Sequence, residues 1–233
     1  MEYKAMDSID KSWLARLGVN QIESNYIFTG CEYYKRGGEE DLAFLYASDN
    51  LTLVSCNEDV RTHLEKSKLR SLYDYIDDVN SQAFEVYIDD IDYYLSGHIC
   101  DAKSKVEVVQ LTLDAHREHI EQFITGFDEE ELFKADLSLD SDYFYMAYLE
   151  GQPVGIIASY CGVEPFESLS ILVTPNCRQR GVGKALISRW VKEVEKRGRV
   201  ARYRANRENI ASRRLCESLG FVAHSHIQIL AEL

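Results

Sequence analysis

Only three prolines occur in the 233 residues, at 153, 165 and 175, and with 13 glycines they leave no Pro/Gly-rich stretch. A collagen-like or low-complexity chain is thereby excluded, and no linker announces itself by composition. No run of about 18 uninterrupted apolar residues is present, so no membrane-spanning helix is expected. The opening Met1-Glu2-Tyr3-Lys4 has no basic-then-apolar pattern, and secretion is not expected either. The six cysteines, at 31, 56, 100, 161, 177 and 216, form no CxxC pair and no regular framework. That argues against a zinc ribbon and against disulfides, and for reduced thiols in a cytoplasmic setting. Neither GxGxxG nor GxxxxGK[ST] occurs, which removes the Rossmann and Walker readings. Basic residues are also scarce, 26 Lys/Arg against 39 Asp/Glu for a net charge of −13, which taken whole argues against a polyanionic partner.

What remains is a globular composition, 45% hydrophobic and 28% charged, of a length that suits one large domain or two small ones. The charge is unevenly spread. Residues 1–105 carry 11 basic and 20 acidic side chains, 106–175 carry 2 and 14, and 176–233 carry 13 and 5. A basic final quarter in an acidic chain has two readings, a local anionic ligand or helix faces that balance acidic neighbours.

Pattern locates the elements. Asp41–Cys56 reads as two apolar segments around Ser48-Asp49-Asn50, a hairpin signal, followed by a helical stretch from Asn57 towards Leu72. Residues 73–95 mix aromatics with acids, as a half-buried aromatic face beside a solvated acidic one would. The hydrophilic stretch 101–105 is the best linker candidate, giving domains 1–105 and 106–233. In the second, Val106–Leu111 is strand-like, Asp114–Phe123 is amphipathic and helical, and Asp128–Lys134 is a short acidic helix. Tyr143–Leu149 and Val154–Tyr160 flank Glu150-Gly151-Gln152-Pro153 as a hairpin, and Ser168–Thr174 is a strand stopped by Pro175. Val182, Leu186, Trp190 and Val194 then recur every four residues, the apolar stripe of a helix. Val200–Ala205 is a strand, Ala211–Leu219 a helix closed by Gly220, and Phe221–Leu230 a last strand or strand pair. The order β-α-α-β-β-β-α-β-α-β predicts an α/β (α+β) domain.

Between the strand ending at Val173 and the helix opening at Val182 lies Arg178-Gln179-Arg180-Gly181-Val182-Gly183-Lys184. Glycines there let the backbone turn tightly and gather N–H groups at one point, and the helix adds its unpaired N–H groups and the positive end of its dipole. Arg178, Arg180 and Lys184 bring positive charge, so the segment reads as an anion cradle suited to a pyrophosphate.

The run from Ile171 to Leu186, Ile-Leu-Val-Thr-Pro-Asn-Cys-Arg-Gln-Arg-Gly-Val-Gly-Lys-Ala-Leu, resembles the acetyl-coenzyme A signature of GNAT-type N-acetyltransferases. Downstream, Asn209 to Phe221 is similar to that family's N-x-x-A-x-x-L-Y-x-x-x-G-F segment, with Asn209, Leu215, Gly220 and Phe221 in step. The resemblance covers about 106–233 and implies a mixed, mostly antiparallel central sheet flanked by helices, preceded by an additional N-terminal α/β domain. That first domain matches no motif; it reads as a degenerate second copy of the fold or as an unrelated cap. The resemblance further implies a bulged strand at 168–174 that splays from the strand at 200–205. In that gap the pantetheine arm of acetyl-CoA would pair with the backbone of Leu172 and Val173. Residues Arg178 to Lys184, namely Arg178, Gln179, Arg180, Gly181, Val182, Gly183 and Lys184, would hold the pyrophosphate, and Asn209 would touch the pantetheine. Arg207, Arg213 and Arg214 are candidates for a 3′-phosphate.

The implied reaction is direct attack of an amine on the thioester in a ternary complex. The position of the family's tyrosine acid is Cys216 here, with Tyr203, Tyr160 or a water as replacements. Glu167 is the favoured base over Glu164 and Glu150. No metal is expected: His116 and His119, and His224 and His226, make two close pairs without a third ligand. The acidic remainder favours a cationic acceptor. A catalytically silent coenzyme A-binding sensor or interaction module is the competing reading, and nucleic acid is not an expected partner. The protein is expected to be a monomer or homodimer.

Overall fold

The computed structural model describes residues 8–36, 38, 40–97, 99 and 105–233. In chain order these form α1 (Ser8–Arg16), β1 (Tyr26–Phe28), β2 (Asp41–Ser48), β3 (Thr52–Cys56), α2 (Glu58–Ser67), α3 (Leu72–Val79), β4 (Phe84–Leu95) and β5 (Glu107–Leu111). There follow α4 (Leu113–Ile124), α5 (Glu129–Ala135), β6 (Tyr143–Leu149), β7 (Gln152–Val163), β8 (Phe166–Val173), α6 (Val182–Lys196), β9 (Val200–Asn206), α7 (Ile210–Glu217) and β10 (Phe221–Glu232). Among the described residues no helix is long and apolar enough to cross a membrane.

By contacts the chain forms two units. One holds Tyr94–Tyr203 with Ala211–Val222; the other holds the chain up to Tyr93 with Arg204–Ile210 and Ala223–Leu233. The units are interleaved in sequence, so a single cut in the 101–105 stretch, of which 101–104 lie outside the described residues, would not part them. The reason is pairing: β10 runs antiparallel to β2 from Ser225↔Ser48 to Ala231↔Asp41, which draws the C-terminal strand into the first unit.

In that first unit the expected hairpin is β2–β3, paired from Ala43↔Cys56 to Ala47↔Thr52, with β1 parallel to β3. The helix expected from Asn57 towards Leu72 is α2, which stops at Ser67, and a second helix, α3, follows in the stretch read only as mixed aromatics and acids. Lys68 ends α2 in a left-handed conformation, and Ser71 starts α3 by accepting the Tyr73 N–H at 3.3 Å. Their apolar faces, Val60, Leu64, Leu72 and Tyr75, cover Ala43, Leu45, Val54 and Leu230.

In the second unit β5, β6, β7 and β8 are neighbours in antiparallel order and β9 joins β8 in parallel, the mixed, mostly antiparallel sheet expected. The β6–β7 hairpin turns on Glu150 (φ 50°) and Gly151 (φ 77°), the positive φ pair that a two-residue loop requires. Successive residues of a strand face opposite sides. On one side Ile156, Ala158 and Leu172 pack under Ile120 and Phe123 of α4. On the other, α6 lies on β7 so closely that a Cβ at Gly155 would stand 2.9 Å from Val182 Cγ1 and 3.0 Å from Leu186 Cδ1. The buried stripe of α6, Val182, Leu186, Ile187, Trp190, Val191 and Val194, is the one its four-residue period predicts.

Candidate functional site

The site is built where β8 leaves β9. The two strands are registered at Phe166↔Val200 and Glu167↔Ala201, whereas β8 continues to Val173. A side-chain bond follows one residue on, Arg202 Nε donating to Ser168 Oγ at 2.8 Å. On its other edge β8 stays paired with β7 throughout, in unbroken register from Ser168 to Val173. The bulge expected within 168–174 is therefore absent from this stretch; the irregularity lies between Tyr160 and Val163, next to the β7–β8 turn.

Which backbone groups face the open edge follows from one bond. Thr174 N–H donates to Val154 O at 3.0 Å. In an antiparallel ladder the direction of these groups alternates, so Leu172 and Ser170 bond towards β7 while Ile171 and Val173 present N–H and C=O to the gap. Leu172, expected to contact a ligand strand, is thus committed to β7, and Ile171 takes its place beside Val173. The Val173 carbonyl also accepts Arg178 Nε at 3.1 Å.

Beyond β8 the chain makes a single 3-10 turn at Pro175–Cys177 and enters α6 through two left-handed residues, Gln179 (φ 61°) and Gly181 (φ 83°). The first intrahelical bond is Ala185 N–H to Gly181 O at 3.0 Å. The N–H groups of Val182, Gly183 and Lys184 therefore have no carbonyl within the helix and aim along its axis. These groups, with the helix dipole, fit an anion. Arg180 and Lys184 are exposed. Arg178 is exposed too, but its guanidinium is engaged by Glu131 of α5. Gly183 has a different reason to be glycine than an open path for phosphate: a Cβ there would stand 2.9 Å from Leu215 Cδ2, so its absence lets α7 lie against α6. Asn209 is exposed, its N–H bonded to Asn206 O at 2.9 Å, and by its contacts it belongs to the first unit. Of the 3′-phosphate candidates, Arg207 is bonded to Asp89 at 3.1 Å and lies 5.4 Å from the Tyr73 ring, a structural setting; Arg214 is exposed.

The two residues expected to carry proton transfer are both buried. Glu167 has no exposed surface. Its oxygens accept Arg197 Nη2 at 2.7 Å and Nε at 3.0 Å, and Ser159 Oγ donates to it at 2.6 Å. A base needs a free lone pair within reach of the proton it removes, and this carboxylate presents none to solvent. Burial works against the charge on Arg197, but its bonds to Glu167 and to the Tyr145 hydroxyl prevail and hold it protonated above the usual arginine range. Cys216 is likewise fully buried, its thiol donating to Arg213 O at 3.1 Å, and burial pushes it up to about 12. A thiol raised by burial well above the ordinary thiol range gives its proton up to an ordinary thiolate unfavourably. Of the hydroxyl candidates, Tyr203 on β9 is bonded to Ser212 Oγ at 2.9 Å, and Ser212 stands one turn before Cys216 on α7. Glu164 is paired with Arg199 at 2.6 Å at the surface, and Glu150 sits in the hairpin turn.

The histidines have side-chain or backbone neighbours of their own. His116 Nδ1 is 3.1 Å from Thr112 O, His119 Nε2 is 2.9 Å from the Tyr148 hydroxyl, and His224 Nε2 is 3.4 Å from Asp10 Oδ1. The partnership of Glu167 with Arg197 was not legible from sequence: thirty residues separate the two, and a glutamate at a strand start reads as solvated.

Residues 140–223 match the family model described as acetyltransferase (GNAT) domain. An uncharacterized N-acetyltransferase of Methanocaldococcus jannaschii is 36% identical over 74 residues, which is 29% of this chain and 33% of that relative. The match thus spans about a third of the relative's length. A solved acetyltransferase of the GNAT family from Colwellia psychrerythraea superposes with a TM-score of 0.50 at 13% identity, over 70% of this chain and 62% of that one. Another GNAT-family structure, from Novosphingobium aromaticivorans, gives 0.48 at 17% identity over 65% and 69%.

Proposed function

We propose, on the premise that the chain belongs to the GNAT-type N-acetyltransferases through the domain spanning residues 140–223, that it binds acetyl-CoA and moves its acetyl group to an amine. One observation carries the reading: a strand edge vacated by its neighbour leads directly into a left-handed turn and the free N–H groups of α6. Ile171 and Val173 offer the alternating backbone groups with which an amide-bearing arm pairs as a strand. Val182, Gly183 and Lys184 offer N–H groups to a pyrophosphate, with Arg180 and Lys184 as counter-charges. The thioester is the chemistry that acetyl-CoA supplies. The protein's share is positioning the two reactants, polarising the carbonyl with a β8 N–H, and delivering a proton to the departing sulfur. Residues 106–175, with 14 acidic and 2 basic side chains, favour a cationic acceptor by steering.

Titration calorimetry with acetyl-CoA, followed by thiol release with a panel of polyamines, aminoglycosides, amino acids and peptide N-termini, tests both levels. Micromolar binding with release on amine addition is expected, and preference for acidic acceptors would reject the steering argument alone. The enclosure of Glu167 and Cys216 favours one competing reading, a coenzyme A-binding module without turnover, and binding without thiol release across the panel would select it.

A further inference from the structure

We infer that Glu167 and Arg197 form the clamp that fixes where β8 and β9 part, making Glu167 a positioning residue for the slot; this rests on the reading of the slot given above. Glu167↔Ala201 is the last registered pair before the strands separate, so the carboxylate sits at the vertex of the opening. From that one side chain, contacts lead to three further elements, α6, β7 and, through Arg197, β6. Arg197, at the C-terminal end of α6, grips both oxygens in a fork, also donates to the Tyr145 hydroxyl of β6 at 3.2 Å, and lies 4.0 Å from the Tyr143 ring. Ser159 of β7 donates to Glu167 and also to Ser168 O at 3.0 Å, and itself accepts Trp190 Nε1 from the middle of α6 at 2.8 Å. The helix whose first turn forms the cradle is therefore pinned at its end to the strand that lines the slot and at its middle to Ser159 of the adjoining β7.

A carboxylate and a guanidinium taken out of water in this way add little to stability relative to apolar packing, but removing one partner leaves a buried charge and is costly. What the pair supplies is geometry: planar fork contacts tolerate little displacement. A base at this point would have needed the lone pairs that the fork and the Ser159 hydroxyl occupy.

The wild-type protein is titrated with acetyl-CoA first; no binding would overturn the slot itself. With binding in hand, Glu167→Gln and Arg197→Met are each expected to raise the Kd and KM for acetyl-CoA about tenfold, roughly 1.4 kcal/mol, with the shape of the kcat pH profile kept. The double variant should add no more than about twofold, since both changes break one contact, and Arg197→Lys should recover part of the loss. Ser159→Ala keeps the ion pair and stands in if either variant fails to fold, with about a threefold rise in Kd. Amide exchange at Arg202, whose N–H faces the Glu167 carbonyl by alternation from the Val200 N–H bonded to Pro165 O at 3.0 Å, needs no ligand and should accelerate in each. Unchanged Kd and unchanged exchange would overturn the clamp. So would a Glu167→Gln enzyme that binds normally yet loses over a hundredfold in kcat together with the acidic limb of its profile, while Arg197→Met retains both.

Discussion

Gly155 is the position at which one methyl group should report on the whole arrangement of the site. A Cβ built there meets Val182 Cγ1 at 2.9 Å, Leu186 Cδ1 at 3.0 Å and the Leu172 carbonyl oxygen at 3.1 Å. Carbon atoms in contact rest about 3.5–4.0 Å apart, so α6 and β7 must separate by roughly 0.6–1 Å to admit Gly155→Ala. None of the three neighbours yields easily: Val182 and Leu186 are 1% and 0% exposed, valine is stiff at χ1, and the oxygen belongs to a paired strand. Overpacking of this kind costs about 1–3 kcal/mol, which at roughly 2–4 °C per kcal/mol for a chain of this size lowers Tm by about 2–12 °C. The displaced element is the first turn of α6, so affinity for acetyl-CoA should fall about tenfold beyond what the stability loss explains. Differential scanning calorimetry and ligand titration measure the two effects, and Gly155→Ala combined with Val182→Ala should be less damaging than the sum of the singles. A Gly155→Ala protein with wild-type Tm and wild-type affinity would refute both the close helix–strand approach and its link to the cradle.

Gly181→Ala meets no atom within 4 Å but forces a side chain into φ 83°. It should cost about 1–2 kcal/mol and weaken acetyl-CoA binding, whereas Gly183→Ala should be softened by movement of Leu215 and cost less; equal effects in thermal melts would contradict this contrast. Cys216 should resist iodoacetamide at pH 8 in the folded protein and react only after denaturation, as peptide mass spectrometry can follow, and Cys216→Ala should keep the transfer rate within about threefold; rapid labelling of the native thiol would undo its assignment as a buried group. Asp10 is pushed up by burial but pulled further down by hydrogen bonds from His224, Tyr46 and Ser48, so its folded pKa lies below its unfolded one. The stability it contributes is therefore present above about pH 4 and lost as pH falls through the lower folded value. Denaturant titrations from pH 6 to pH 3 should show a flatter decline for Asp10→Asn than for wild type, and identical slopes would remove Asp10 from the acid response.

Elements with a strong period were legible in the sequence: α6 from its four-residue stripe, the β6–β7 hairpin from Glu150-Gly151, and the tight turn into α6 from glycines set between a strand and that stripe. The end of α2 at Ser67 is not legible because it depends on Lys68 adopting a left-handed conformation, which nothing in a lysine signals. The interleaving of the two units was missed because β10 finds β2 across more than 170 residues, a pairing that local pattern does not encode. That Ile171 rather than Leu172 faces the gap is not legible, because the direction of a peptide group depends on register with β7, fixed by the bond of Thr174 to Val154.

Charge is where sequence and structure differ most usefully. The thirteen basic residues after position 175 read as a field awaiting an anion, but at least seven of them are held in ion pairs: Arg178 with Glu131, Arg189 and Lys196 with Glu193, Arg197 with Glu167, Arg199 with Glu164, Arg204 with Asp92 and Arg207 with Asp89. Five of the six acidic partners precede residue 176, so much of the asymmetry along the chain is the two sides of contacts that fold brings together. An exposed one among them, Arg199 with Glu164, contributes little, about 0–1 kcal/mol. The consequence of the pairs for the site is subtraction: the charge offered to a phosphate is not the segment's net +8 but Arg180 and Lys184 at the cradle, with Arg178 shared with Glu131. On the proposed reading the N–H groups of α6 are expected to matter more to the anion than the arginines, and salt should weaken acetyl-CoA binding less steeply than the raw charge count implies.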